Sequence, residues 1–133
     1  MKFLTEALKH SFEYKEISEA FKKGKTPAVL TGVTAVHKNI VVYSLIKETS
    51  KTALMLVSED AEALKTFEDF TAMGLKAAVY PSRDFSLRDT AGASHEYERQ
   101  RLDILSRLIS GEIDVVVATA EAASQLTMPK NEL

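Results

Sequence analysis

The sequence predicts an α/β protein, three-layered, with a mostly parallel sheet. Three observations predict it. Short apolar runs recur at Ala28–Thr31, Ala53–Val57, Lys76–Tyr80 and Asp114–Thr119. Segments of helical period separate them. The first run leads into a damaged phosphate-binding loop that opens a helix. Short apolar strands alternating with helices imply parallel strands covered on both faces.

Residues 1–23 carry apolar side chains at Phe3, Leu4, Ala7, Leu8, Phe12, Ile17, Ala20 and Phe21, mostly three or four apart. That spacing suits one or two amphipathic helices. Gly24 is the expected C′ residue. Thr26-Pro27 sets an extended entry, because a residue before proline is pushed out of the helical region. Strand Ala28–Thr31 and a helix from Ile40 to about Glu48 follow. After strand Ala53–Val57, Ser58 is the expected N-cap, with Glu59, Asp60 and Glu62 in the positive first turn. That helix is expected to bury Leu64, Phe67 and Phe70 and to stop near Gly74. Strand Lys76–Tyr80 leads to Pro81 and an irregular stretch to about Ala93. Ser94 is the expected cap of a helix through Ile109, with Leu102, Leu105 and Ile109 as its apolar stripe. Gly111 ends it. Strand Asp114–Thr119 is the clearest in the chain, and residues 120–126 suit a short helix. The expected domains are a helical segment, 1–25, and an α/β domain, 26–133.

The phosphate loop reads Gly32-Val33-Thr34-Ala35-Val36-His37-Lys38-Asn39. A working loop reads G-x-x-x-x-G-K-[ST], and its N–H groups cradle phosphates. Gly32 and Lys38 keep the spacing. His37 replaces the second glycine, and its ring competes for the phosphate space. Asn39 replaces the hydroxyl that ligates Mg²⁺. The context gives the expected topology of a P-loop nucleotide hydrolase. Gly32, Thr34, His37, Lys38 and Asn39 are its vestigial nucleotide loop. A second defect is independent of the first. The best strand is followed by Ala120-Glu121, whereas a working site places an acidic Mg²⁺ partner at a strand end. Asp114 lies at the wrong end. No catalytic residue is assigned, and no cofactor is expected in this chain.

The chain has 133 residues, 45% hydrophobic and 27% charged, with a formal net charge of −2. This is the composition of a globular protein and argues against a stand-alone nucleic-acid binder, which is usually basic. There are no cysteines, which excludes disulfides, thiolate metal sites and thiol nucleophiles. His10, His37 and His95 have no ligand spacing, so no metal site is expected. The N-terminus has no long apolar stretch, and no run is long enough to cross a membrane. A cytoplasmic location is expected. The irregular stretch between Tyr80 and Ser94 is long enough to be functional. Arg83, Arg88, Arg99 and Arg101 are the candidate surface for a phosphate backbone or a partner's acids. The bland alternative is a solvated, salt-bridged helix face, with Asp103 and Arg107 at i, i+4.

Several segments, in this order, carry a resemblance. They are Leu30-Thr31-Gly32-Val33-Thr34; Tyr80-Pro81-Ser82-Arg83-Asp84; residues 94–105, from Ser94-His95-Glu96 to Asp103-Ile104-Leu105; and residues 114–122, from Asp114-Val115-Val116 to Ala120-Glu121-Ala122. Over roughly residues 26–129 the chain resembles the N-terminal end of bacterial transcription-repair coupling factors, whose first domain is similar to that of the excinuclease B protein. The latter keeps an intact loop, G-V-T-G-S-G-K-T. Here Ala35, Val36, His37 and Asn39 replace four of its residues, which favours the coupling factors. The resemblance implies a longer parent: an ATP-dependent DNA translocase that releases stalled RNA polymerase and recruits nucleotide excision repair through the excinuclease A protein. ATP and Mg²⁺ would be used by its motor domains. This chain would be a non-catalytic scaffold whose own partners are the parent's other domains. The alternative is a nucleotide-binding fragment of the excinuclease B protein or of a helicase-like ATPase.

Overall fold

The computed structural model describes residues 2–82, 93–127, 129 and 132. They form two compact units, 1–51 and 52–133.

The first unit is helical: α1 (Lys2–Lys9), α2 (Phe12–Lys22) and α3 (Ala35–Thr49) pack on one another. Ser11 caps α2, its hydroxyl accepting the Tyr14 N–H at 3.1 Å. Gly24 follows α2 with φ +65°, as a C′ glycine should. A polar cluster links α2 and α3. The Ser18 hydroxyl donates to Glu48 Oε2 at 2.7 Å. Lys22 Nζ lies 3.5 Å from the same oxygen and Lys9 Nζ 3.7 Å from Oε1. Burial works to raise the Glu48 carboxyl. The Ser18 bond, the Tyr14 hydroxyl and the two lysines together outweigh it, so the group is held below the ordinary glutamate range. The Tyr14 side chain is 3% exposed. Burial, then the Glu48 carboxylate beside it, pushes its hydroxyl above the ordinary tyrosine value.

Two expectations fail in this unit. Ala28–Thr31 is not a strand. A strand needs a neighbour to complete its hydrogen bonds, and the sheet among the described residues holds only three strands, at 53–57, 77–80 and 115–119. Val29 is accordingly 82% exposed. The helix also begins five residues earlier than expected, at Ala35, because Thr34 caps it.

The second unit is α/β, as expected. Its elements are β1 (Ala53–Val57), α4 (Asp60–Ala72), β2 (Ala77–Tyr80), α5 (Ala93–Ile109), β3 (Val115–Thr119) and α6 (Ala120–Ser124). The three strands are parallel in the order β1-β3-β2, with Ala53 and Ala77 both level with Val115. All five residues of β3 are buried, which is what a central parallel strand of Val-Val-Val-Ala-Thr predicts. The connection through α4 steps across β3 from β1 to β2, and that through α5 steps back. Crossovers between parallel strands follow a right-handed rule, which sets two helices stepping in opposite directions on opposite faces. The layering is therefore that of a three-layer fold. On the α5 face Ala78, Tyr80, Val116 and Ala118 pack with Ile104, Ile113 and Ala122.

Three local expectations are corrected here. Ser58 is not the N-cap of α4: Glu59 occupies that position and makes no side-chain cap bond. The buried face of α4 is Ala63, Thr66 and Phe70, so Leu64 falls off it and is 56% exposed. Alanine at position 63 lets the helix lie close to the sheet. Along α5, the buried residues are Arg101 and Ile104, with Leu105 and Leu108 packed beside the core. Ile109, expected on that stripe, is 50% exposed, and Ser94 lies inside the helix rather than at its cap.

Candidate functional site

The vestigial loop is built by Gly32 and Thr34. Gly32 has φ +72°, a conformation that L side chains rarely adopt. Thr34 is extended and caps α3. Its hydroxyl accepts the His37 N–H at 3.4 Å and lies 3.1 Å from His37 Nδ1, to which it donates when that nitrogen is unprotonated. Its carbonyl accepts the Lys38 N–H at 2.9 Å. In a working loop, successive N–H groups stay outside the helix and face the phosphates. Here those of His37 and Lys38 are closed within the chain. Asn39, the replacement for the metal-ligating hydroxyl, is 2% exposed. Gly32, Thr34 and His37 remain on the surface, and Lys38 is half-buried.

Arg101 was expected on a partner surface, and that expectation is corrected. The residue is 2% exposed. Its Nη1 donates to the carbonyls of Pro81 at 2.7 Å and Ala122 at 3.2 Å, and to Gln125 Oε1 at 3.2 Å. Its Nη2 donates to the Gln125 carbonyl at 3.3 Å. The guanidinium also stacks 4.2 Å from the Tyr80 ring centroid. It joins the end of β2 to α6 and the segment after it. The planar fork of arginine suits several acceptors at once. Its role is structural. The signal was available: Arg101, Ile104, Leu105 and Leu108 are spaced i, i+3, i+4, i+7, which places the arginine on the buried stripe.

The remaining arginines separate. Arg99 is exposed, in an open groove of about 490 Å³ with Glu96, Asp103 and Arg107. Arg107 pairs with Asp103 at 3.6 Å, the expected i, i+4 pair, and with Glu112 at 3.7 Å. Arg83 and Arg88 lie outside the described residues.

In open α/β sheets, ligands collect outside the carboxyl ends of strands whose connections leave toward opposite faces. Here β1 and β3 meet that description, since α4 and α6 leave toward opposite faces. At the end of β1, the Ser58 N–H donates to Glu62 Oε2 at 3.1 Å and the Ser58 hydroxyl at 2.8 Å. A carboxylate thus takes the donors that a phosphate would use. At the end of β3, the Thr119 hydroxyl accepts the Ala122 N–H at 3.1 Å. No helix among the described residues is long and apolar enough to cross a membrane.

These features define an α/β domain on a parallel sheet, and a helical unit whose glycine-led loop is closed on itself. No family model matches the chain. It is 27% identical over 124 residues to the transcription-repair coupling factor of Bacillus subtilis strain 168, a match covering 92% of this chain. The match lies in the N-terminal region of that protein and covers 10% of its length, so the chain spans about a tenth of this relative. The likeness to the coupling factors expected from the sequence is borne out.

Proposed function

We propose that this chain is a non-catalytic scaffold segment of a transcription-repair coupling factor, acting in DNA repair. The likeness to the N-terminal region of the Bacillus subtilis protein supports the setting. The state of the loop carries the non-catalytic part. Thr34 holds the His37 and Lys38 N–H groups that would otherwise face a phosphate, and the side chain at the metal-ligand position is buried. In this reading ATP and Mg²⁺ act in motor domains elsewhere in the parent. Stalled RNA polymerase, DNA and the excinuclease A protein are partners of the parent. This segment's own partners are the parent's other domains. Calorimetric titration of the chain with ATP and Mg²⁺ tests the reading. The expected result is no heat of binding. Micromolar binding abolished by Lys38→Ala would overturn it and restore the nucleotide-binding alternative.

A further inference from the structure

Positive charge is concentrated in the first unit. Residues 1–51 hold nine lysines, no arginine and five glutamates, an excess of four positive charges. Residues 52–133 hold eight lysines and arginines against fourteen acids. A charge split of this kind points to an anionic ligand for the basic part.

Three of these lysines gather at one place. Lys9 Nζ and Lys22 Nζ flank the Glu48 carboxylate at 3.7 and 3.5 Å. Lys47 Nζ stands 5.9 Å from the centre of the Tyr43 ring. Lys9, Tyr43, Ser44, Lys47 and Glu48 line a cavity of about 150 Å³. Ser44 is 2% exposed, and its hydroxyl has no hydrogen-bond partner. The Tyr14 hydroxyl lies near it, outside hydrogen-bond geometry. A buried polar atom left unpaired is rare in a folded chain and calls for a partner that the chain does not supply.

The surroundings fix the chemistry of that partner. It must accept hydrogen bonds, because ammonium groups only donate and the hydroxyl has a donor unused. It must be negative. Glu48 opposes an anion, and the carboxyl end of α3 adds about half a negative charge, yet three ammonium groups outweigh both. The Glu48 oxygens are themselves engaged, Oε2 by Ser18 and Lys22 and Oε1 by Lys9. It must also be small, since the cavity falls well below the ~300–1,000 Å³ of sites that enclose a whole small molecule.

We infer that this cavity binds a phosphate oxyanion, held between Lys9 and Lys47 with the Ser44 hydroxyl donating to one oxygen. Three donors suit the three acceptor oxygens of a phosphate group better than the two of a carboxylate, and lysine serves phosphate as a point charge. The phosphate can be free or carried on a nucleic-acid backbone. The site is separate from the Gly32–Asn39 loop, whose His37 and Lys38 donors are closed within the chain.

Titration of the 133-residue chain with inorganic phosphate at low ionic strength tests this, followed by amide chemical shifts. Lys9, Ser44 and Lys47 should move together with millimolar affinity. Lys47→Gln should weaken binding about fivefold and Ser44→Ala about threefold. Ser44→Ala should not lower Tm, since an unpaired buried hydroxyl stabilises nothing. Lys15→Gln makes the same charge change outside the cavity and should stay within about twofold. Circular dichroism checks that the variants fold. No shift at about 20 mM phosphate, unchanged binding in Ser44→Ala, or equal losses in Lys15→Gln and Lys47→Gln would each overturn the inference. Shifts at His37 and Lys38 alone would also overturn it, whereas shifts at both places would uphold it and count against the closed loop instead. A single-stranded oligonucleotide that moves the same residues at lower concentration, with affinity falling steeply in salt, would assign the site to a backbone phosphate. One that binds no better would assign it to a small phosphate; either result upholds the site.

Discussion

Replacing Arg101 separates a structural arginine from a surface one. The guanidinium meets the carbonyls of Pro81, Ala122 and Gln125, and the residue is 2% exposed. In Arg101→Met the stem volume is largely kept, so the loss is mainly polar. Three carbonyls, that of Ala122 buried and those of Pro81 and Gln125 part-buried, lose a charged donor, at roughly 1 kcal/mol apiece after solvent compensation. The contact with the Tyr80 ring adds about 0.5–1 kcal/mol. The expected cost is therefore about 3–4 kcal/mol, a large part of the ~5–15 kcal/mol that holds a domain together. For a unit of this size that lowers Tm by on the order of 15 °C. Arg101→Lys should fall between, because one ammonium cannot span Pro81 and Gln125 together. Urea and thermal unfolding followed by circular dichroism give the values. Arg99→Met is the control and should stay within about 0.5 kcal/mol, since Arg99 is exposed. A loss below about 1 kcal/mol for Arg101→Met would refute the argument that this side chain ties the end of β2 to α6.

Phe70 is fully buried and Leu64 is 56% exposed. Phe70→Ala should cost about 3–5 kcal/mol in unfolding experiments, and Leu64→Lys about 0.5 kcal/mol or less. Gly111 has φ +73° and open space around its missing Cβ, so Gly111→Ala should cost about 1 kcal/mol through backbone strain alone. The Glu48 carboxyl is depressed in the folded state. Its contribution is therefore present above the unfolded-state value, near 4.5, and is lost as pH falls through the lower folded value. Urea unfolding of the first unit should weaken across that window, and Glu48→Gln should flatten the dependence.

The legible parts of the fold were those decided locally. β3 was clear because a continuous run of small and β-branched residues suits a strand buried on both faces. The turn glycines Gly24, Gly74 and Gly111 were clear because a positive φ after a helix selects them. Ala28–Thr31 was misleading because its composition suits a strand, whereas a strand exists only with a partner. Composition cannot supply that partner. Leu64 and Ile109 were misleading for a related reason. Apolar spacing allows more than one helix phase, and small Ala63 and polar Thr66 chose the phase of α4. In the site, the loss of the second glycine was visible as His37. The closure of the loop by Thr34 was not, because threonine keeps its usual place in the motif while acting as a cap.

Thr34 and Arg101 make the same physical point, each within its own unit. A phosphate site needs donors that the folded chain leaves unsatisfied. Thr34 satisfies the donors at the start of α3 through its hydroxyl and carbonyl. Arg101 satisfies carbonyls at the carboxyl end of the sheet, and Glu62 takes the donors of Ser58. A bound phosphate would have to break these bonds, at about 1 kcal/mol or more apiece, before gaining any of its own. The substitution Thr34→Gly tests this directly. It removes the capping hydroxyl, costs the helix only a few tenths of a kcal/mol because glycine is itself a tolerated cap, and frees the His37 N–H. If internal satisfaction is what closes the loop, Thr34→Gly should gain weak, millimolar inorganic phosphate binding by chemical-shift titration at His37 and Lys38. Unchanged amide shifts in the folded variant would show that the lost glycine, and not the cap, is what closed the site.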